Sequence, residues 1–130
     1  MNIERKQKIK DTLCGCDDCS NGDKYFKNLH QIGNDLKFDQ ELTSLLTFLH
    51  ALGNRERLTI LTALKDKERC VCELEAILDK SQPSISHHLR ELEKVGLIRG
   101  WKKGKFTYYT LLKKEFEKYL TNFNQKFSFG

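Results

Sequence analysis

The segment from Cys70 to Gly96 constrains this chain most. It reads as a short helix over Cys70–Leu78, a tight turn at Asp79-Lys80, and a longer helix that starts after Ser81. Ser81 stands where an N-cap belongs, and Pro83 lies in the first turn, where its missing N–H costs nothing. Gly96 is placed to stop the helix. Within it, Ile85, Leu89 and Leu92 recur at i, i+4 and i+7, so that face must pack on a core. Gln82, Ser84, Ser86, His87 and Arg90 are left on the other side. His87 and His88 are neighbours and point about 100° apart on a helix, so only one of them, His87, is expected to face outward. A short helix, a tight turn and a helix with a polar N-terminal face form a helix-turn-helix pattern.

The segments around it complete the plan. Leu97–Trp101 and Phe106–Leu111 read as two strands joined by Lys102-Lys103-Gly104-Lys105, a hairpin with a lysine-rich tip. Upstream, Tyr25–Phe38 has apolar residues at roughly helical spacing. Glu41–Leu52 places Leu42, Leu45, Leu46, Leu49 and Leu52 on one helical face. Arg55–Leu64 follows, with Asn54 as its cap. In Cys70–Leu78 the inward residues are expected to be Leu74, Ile77 and Leu78. The last helix carries a stripe of Leu112, Phe116, Tyr119 or Leu120, Phe123 and Phe127, which fits either a core or a contact between subunits. The expected fold is therefore mainly α with a small β-hairpin, a winged helix-turn-helix. Residues 1–22 read as a flexible arm containing cysteines, and residues 23–130 as the folded domain.

Charge points to a partner. The 130-residue chain has a net charge of +5, but residues 96–130 hold eight basic and two acidic side chains, while residues 39–95 hold eight and ten. Between Leu97 and Lys114 there are six basic residues and no acid. A basic block beside a nearly neutral body suits a polyanion. A helix N-terminus brings free N–H groups and a positive dipole end to phosphate. Small Ser84 and Ser86 allow close approach, Gln82 can pair with adenine, and Arg90 can reach guanine or phosphate. Lys102, Lys103 and Lys105 suit backbone or minor-groove contact. Double-stranded DNA is the expected partner.

The five cysteines fall into two clusters, Cys14-x-Cys16-x2-Cys19 and Cys70-x-Cys72. Met1–Lys10 has no apolar stretch to serve as a secretory signal, and no apolar run is long enough for a membrane span. The expectation is a cytoplasmic protein without a membrane partner, where clustered thiols bind metal or do redox work rather than form structural disulfides. Thiolates are soft, so a site built from Cys70, Cys72 and the cysteines Cys14, Cys16 and Cys19 would select Zn(II), Cd(II), Pb(II) or As(III). A thiol-based redox switch on the same fold is the alternative. Enzyme readings fail: a dithiol oxidoreductase using Cys16 and Cys19 wants a βαβ setting, and Ser86 and His87, adjacent on a helix, cannot act on each other.

Three stretches resemble the ArsR/SmtB family of metal-sensing repressors: Ala51–Leu58 (ALGNRERL), Ser81–Leu89 (SQPSISHHL) and Gly96–Arg99 (GLIR). The resemblance covers roughly residues 40–115. It implies a homodimer through the first and last helices, a palindromic operator, and DNA release on inducer binding, with Gln82, Ser84, Ser86, His87 and Arg90 in the recognition roles. Glu68–Leu74 (ERCVCEL) resembles the family's thiolate metal box. Where some arsenic sensors have a third cysteine three residues after that C-x-C, this chain has Glu75. Cadmium and lead sensors of the family use cysteines of an N-terminal arm instead, usually the partner subunit's, which is the role implied for the Cys14/Cys16/Cys19 cluster. The family's other site, Asp and His pairs on the last helix, is missing, since residues 112–127 contain neither.

Overall fold

In a computed structural model of the chain, which describes residues 1–13 and 22–130, buried side chains from four helices and a small sheet form a core around Leu74, Ile85, Leu89 and Leu92, and a further helix packs on it through half-buried side chains. The chain divides after Leu42 into two compact units.

The N-terminal unit is a pair of helices, α1 (Ile3–Leu13) and α2 (Gly22–Lys37). Phe26 is a buried side chain there, with the Lys6 and Lys10 ammonium groups each 5.5 Å from the ring centre. Lys10 also pairs with Asp23. Part of the segment read as an arm is therefore helical, and α2 begins three residues before the expected Tyr25. Leu29, Ile32 and Leu36 remain exposed along α2.

In the second unit, α3 (Gln40–Leu52) enters from the first and leads to α4 (Arg55–Asp66). Asn54 caps α4 as expected, its side chain accepting a hydrogen bond from the Arg57 N–H at 3.0 Å. The Arg57 guanidinium donates to the terminal carbonyls of α3, at 2.6 Å to Ala51 and 3.2 Å to His50, groups that would otherwise lack partners. The inward face of α3 differs from the expected leucine stripe. Leu45, Phe48 and Ala51 are buried, whereas Leu42, Leu46 and Leu49 are exposed, Leu46 to 68%. So many apolar residues surround this helix that periodicity alone could not choose between a face for its own core and a face for something else.

A strand that sequence periodicity did not reveal follows: β1 (Arg69–Cys70), then α5 (Val71–Leu78) and α6 (Gln82–Lys94). Asp79 makes the turn between the helices in the left-handed region, at φ 52°. Ile85, Leu89 and Leu92 are fully buried, as their spacing required. Two details differ. Ser81 occupies the N-cap position of α6 without a side-chain capping bond, and Ile77 is exposed rather than inward. Gly96, at φ 74°, ends the helix.

The hairpin is β2 (Ile98–Lys103) and β3 (Phe106–Leu111), and β1 joins it to make an antiparallel sheet in the order β1-β3-β2. A two-residue edge strand is too short to show an alternating pattern, which is why only the hairpin was legible. Gly104, at φ 64°, opens the two-residue turn. Gly100 serves a different purpose. A Cβ there would lie 2.7 Å from Tyr109 Cε1, so the tyrosine ring lies against the glycine. Gly100→Ala should displace that ring and cost about 1–3 kcal/mol in urea unfolding; an unchanged midpoint would show the ring to be free to move.

The last helix, α7 (Lys113–Lys126), returns to the core through Phe116 and Tyr119. Tyr119 stacks on Phe48 (4.6 Å between ring centres) and donates its hydroxyl hydrogen to the Val95 carbonyl at 3.1 Å. Beyond them Leu120, Phe123 and Phe127 stay exposed. Among the described residues no helix is long and apolar enough to cross a membrane.

Candidate DNA interface and thiol site

The buried face of α6 fixes which of its side chains can meet a partner. Gln82, His87 and Arg90 are exposed, and Ser84 and Ser86 are half-buried. His88 points elsewhere. Its Nδ1 lies 3.5 Å from Arg57 Nη1, tying α6 to α4, and burial followed by the Arg57 charge holds the imidazole below its ordinary pKa. Lys102, Lys103 and Lys105 are exposed at the far end of the hairpin.

Tyr109 of β3 lies within the electrostatic reach of α6. Burial and then the negative charge of Glu93 raise the phenol's pKa. Glu93 stands one turn beyond Arg90 on α6, and Tyr109 itself packs on the core that α6 also faces. Neither Tyr109 nor Gly100 stands out in the sequence; the nearest signal is the strand register that places them opposite each other.

The thiol site sits where β1 becomes α5. Cys70 is buried and is the N-cap of α5, while Cys72 is exposed in its first turn. Their sulfurs are 2.8 Å apart. The Cys70 N–H donates to Glu73 Oε1 at 3.1 Å, and Arg69 pairs with the same carboxylate at 3.7 Å. Burial pushes the Cys70 thiol up, the hydrogen bond with Cys72 adds to this, and the Glu73 N–H pulls it back. A ligand that prefers thiolate must therefore displace the Cys70 proton. The N-terminal end of α5 offsets the negative charge that follows.

Strand pairing gives this site its reach. Cys70 is in register with Tyr108 of β3, and Tyr108 with Trp101 of β2. Cross-strand partners share a face, so Cys70, Tyr108 and Trp101 form one row across the sheet. The Trp101 and Tyr108 rings stack at 6.1 Å.

Two soft donors side by side at a helix N-terminus fit part of a thiophilic ion's coordination shell. Among the described residues no group of three His, Cys, Asp or Glu side chains is placed to hold a metal. Cys14, Cys16 and Cys19, the other expected ligands, lie outside the described residues.

Known proteins resemble this chain in both sequence and fold. A family model described as "Bacterial regulatory protein, arsR family" matches residues 54–99. The chain is 46% identical over 57 residues to the arsenic resistance transcriptional regulator ArsR1 of Pseudomonas putida, a stretch covering 44% of each chain. It is 40% identical over 67 residues to the cadmium resistance transcriptional regulatory protein CadC of Listeria innocua, covering 51% of this chain and 56% of that one. The matched stretch thus spans about half the length of these curated relatives. Among solved structures, the transcriptional regulator HlyU from Vibrio vulnificus superposes with a TM-score of 0.55 and 32% identity, covering 72% of this chain and 96% of that one.

Proposed function

The chain belongs to the arsR family of bacterial regulatory proteins, DNA-binding transcription regulators of the winged helix-turn-helix type, and from that premise we propose that it is a metal-responsive repressor. In this reading a homodimer holds a palindromic operator and releases it when a thiophilic ion, Cd(II), Pb(II), Zn(II) or As(III), binds at cysteine thiolates. The observation that carries the reading is the position of Cys70. One residue caps the first helix of the helix-turn-helix, supplies a thiol to the site, and pairs with Tyr108 of the wing strand. A change at its sulfur therefore bears on both DNA-facing elements.

On the DNA, Gln82, Ser84, Ser86, His87 and Arg90 would read base edges in the major groove. Lys102, Lys103 and Lys105 would hold the backbone. Two recognition helices must then stand about 34–36 Å apart to enter successive major grooves. The exposed apolar residues of α2 (Leu29, Ile32, Leu36) and of α7 and its C-cap (Leu120, Phe123, Phe127) support dimerisation through these helices. When bound, the ion supplies a cross-link between sulfurs. Cys70 and Cys72 of one subunit would contribute two ligands, and arm cysteines among Cys14, Cys16 and Cys19 of the other subunit the remainder. Subunits tied in this way hold their recognition helices off the groove spacing.

The 2.8 Å sulfur–sulfur contact also favours a second reading, in which an oxidant takes two electrons and two protons from Cys70 and Cys72 and a disulfide throws the same switch. Release of DNA by peroxide without metal, reversed by dithiothreitol, would select it.

DNA reading is tested by enriching duplexes from a random-sequence pool with the full chain and titrating the product. Arg90→Ala should cost about 1–3 kcal/mol on the enriched sequence and relax its preference at one position. Removing Lys103 and Lys105 should weaken binding to all sequences and flatten the salt dependence by about 0.9 in log–log slope for each phosphate no longer neutralised. If the two variants behave alike, the division between base and phosphate contacts is wrong.

A further inference from the structure

The wing ends in an aromatic side chain that none of the roles above uses. Phe106 is the first residue of β3, faces Lys103 across the hairpin, and is 50% exposed. Only Gly104 and Lys105 separate the two strands, so Phe106 stands at the mouth of the turn. Strand alternation puts it on the sheet face of Trp101, Lys103 and Tyr108. The opposite face, with Ile98, Tyr109 and Leu111, packs on the core. Phe106 cannot turn inward without a register slip that would expose those three.

Its neighbours on that face are differently placed. Tyr108 has the Trp101 ring stacked on it and the Lys103 ammonium group 6.0 Å from its ring centre. Phe106 makes no ring contact with any described residue. A half-exposed apolar ring at a hairpin tip beside the exposed Lys103 and Lys105 suits a partner that offers phosphates outside and apolar surface within. The minor groove of duplex DNA has both, with charged rims above sugars and base edges.

We propose that Phe106 is an apolar wedge that enters the minor groove of the operator at a base step, with Lys103 and Lys105 on the flanking phosphates. Side chains of this kind act by partly unstacking the step they enter. Pyrimidine–purine steps open readily and A-tracts resist. The wing thus selects sequence by deformability, outside the bases that α6 reads. This rests on the DNA-binding reading above.

The experiment uses the full chain and a duplex enriched from a random-sequence pool. Minor-groove footprinting locates the wing, and two versions of the duplex are made that differ only there, one with a TA step and one with an A-tract. The wild-type chain should bind the TA version about tenfold more tightly and bend it more in a circular-permutation gel. Phe106→Ala should lose both the preference and the extra bend while keeping the salt slope that the lysines set. Phe106→Leu, still apolar, should keep most of the preference. A matching thermal midpoint shows that each variant is folded. If Phe106→Ala retains preference and bend, the wedge is overturned and the DNA-binding reading stands. If the wild-type chain enriches no sequence, that reading falls and the wedge with it.

Discussion

Phe48→Ala is expected to lower the unfolding free energy by about 3–5 kcal/mol, the usual range for emptying a large aromatic site in a core. Phe48 is 1% exposed. Its ring stacks on Tyr119 and meets the edge of Phe116 at 5.5 Å. Both partners belong to α7, whose other large apolar residues Leu120 and Phe123 are exposed, so Phe48 holds that helix to the core. Against a total of about 5–15 kcal/mol for a domain of this kind, the loss is a large fraction. Urea unfolding measures it, and hydrogen exchange should rise first along α7. Phe48→Leu keeps most of the volume and should cost much less. A Phe48→Ala chain within about 1 kcal/mol of wild type would mean that α7 is anchored by something other than this aromatic cluster.

The second large effect concerns the thiols. Cys70→Ser/Cys72→Ser removes two soft donors while keeping size and hydrogen-bonding capacity, so the fold and DNA binding should survive. The response to Cd(II) should vanish. If coupling has the usual size, about 1–3 kcal/mol, the wild-type chain loses about 5–150-fold in DNA affinity on saturation with Cd(II), and the double variant loses none of it. Trp101, the only tryptophan, shares a cross-strand row with Cys70 and gives an independent reading. Its emission should change on Cd(II) addition in the wild type and stay fixed in the variant. A variant that still releases DNA with Cd(II) would place the sensing thiols elsewhere.

Periodicity was a good guide where one face of an element is buried and the other is wet. Ile85, Leu89 and Leu92 announce the packing of α6, and with it the outward placement of Gln82, His87 and Arg90. It failed in three places, each for a physical reason. On α3 the apolar residues cover more than half of the circumference, so Phe48 could not be told from Leu46 as the core residue. β1 is two residues long and shows no alternation, so the link between Cys70 and the wing emerged only from the strand register. Ile77 has helical spacing for the core, yet α5 has only two turns and Leu74 and Leu78 already cover its inward side. The packing of Tyr109 against Gly100 within the wing depends on which residues face each other across a sheet. A linear pattern does not carry that.

The central claim is that a thiophilic ion at Cys70 and Cys72 and operator DNA exclude one another. The most direct measurement is the affinity of the wild-type chain for its enriched duplex, titrated at fixed salt with and without saturating Cd(II). The predicted result is weaker DNA binding with the ion present and, by reciprocity, Cd(II) binding weakened by the same factor when DNA is present. DNA affinity that does not change with Cd(II), in a chain shown to have bound it, would contradict the account.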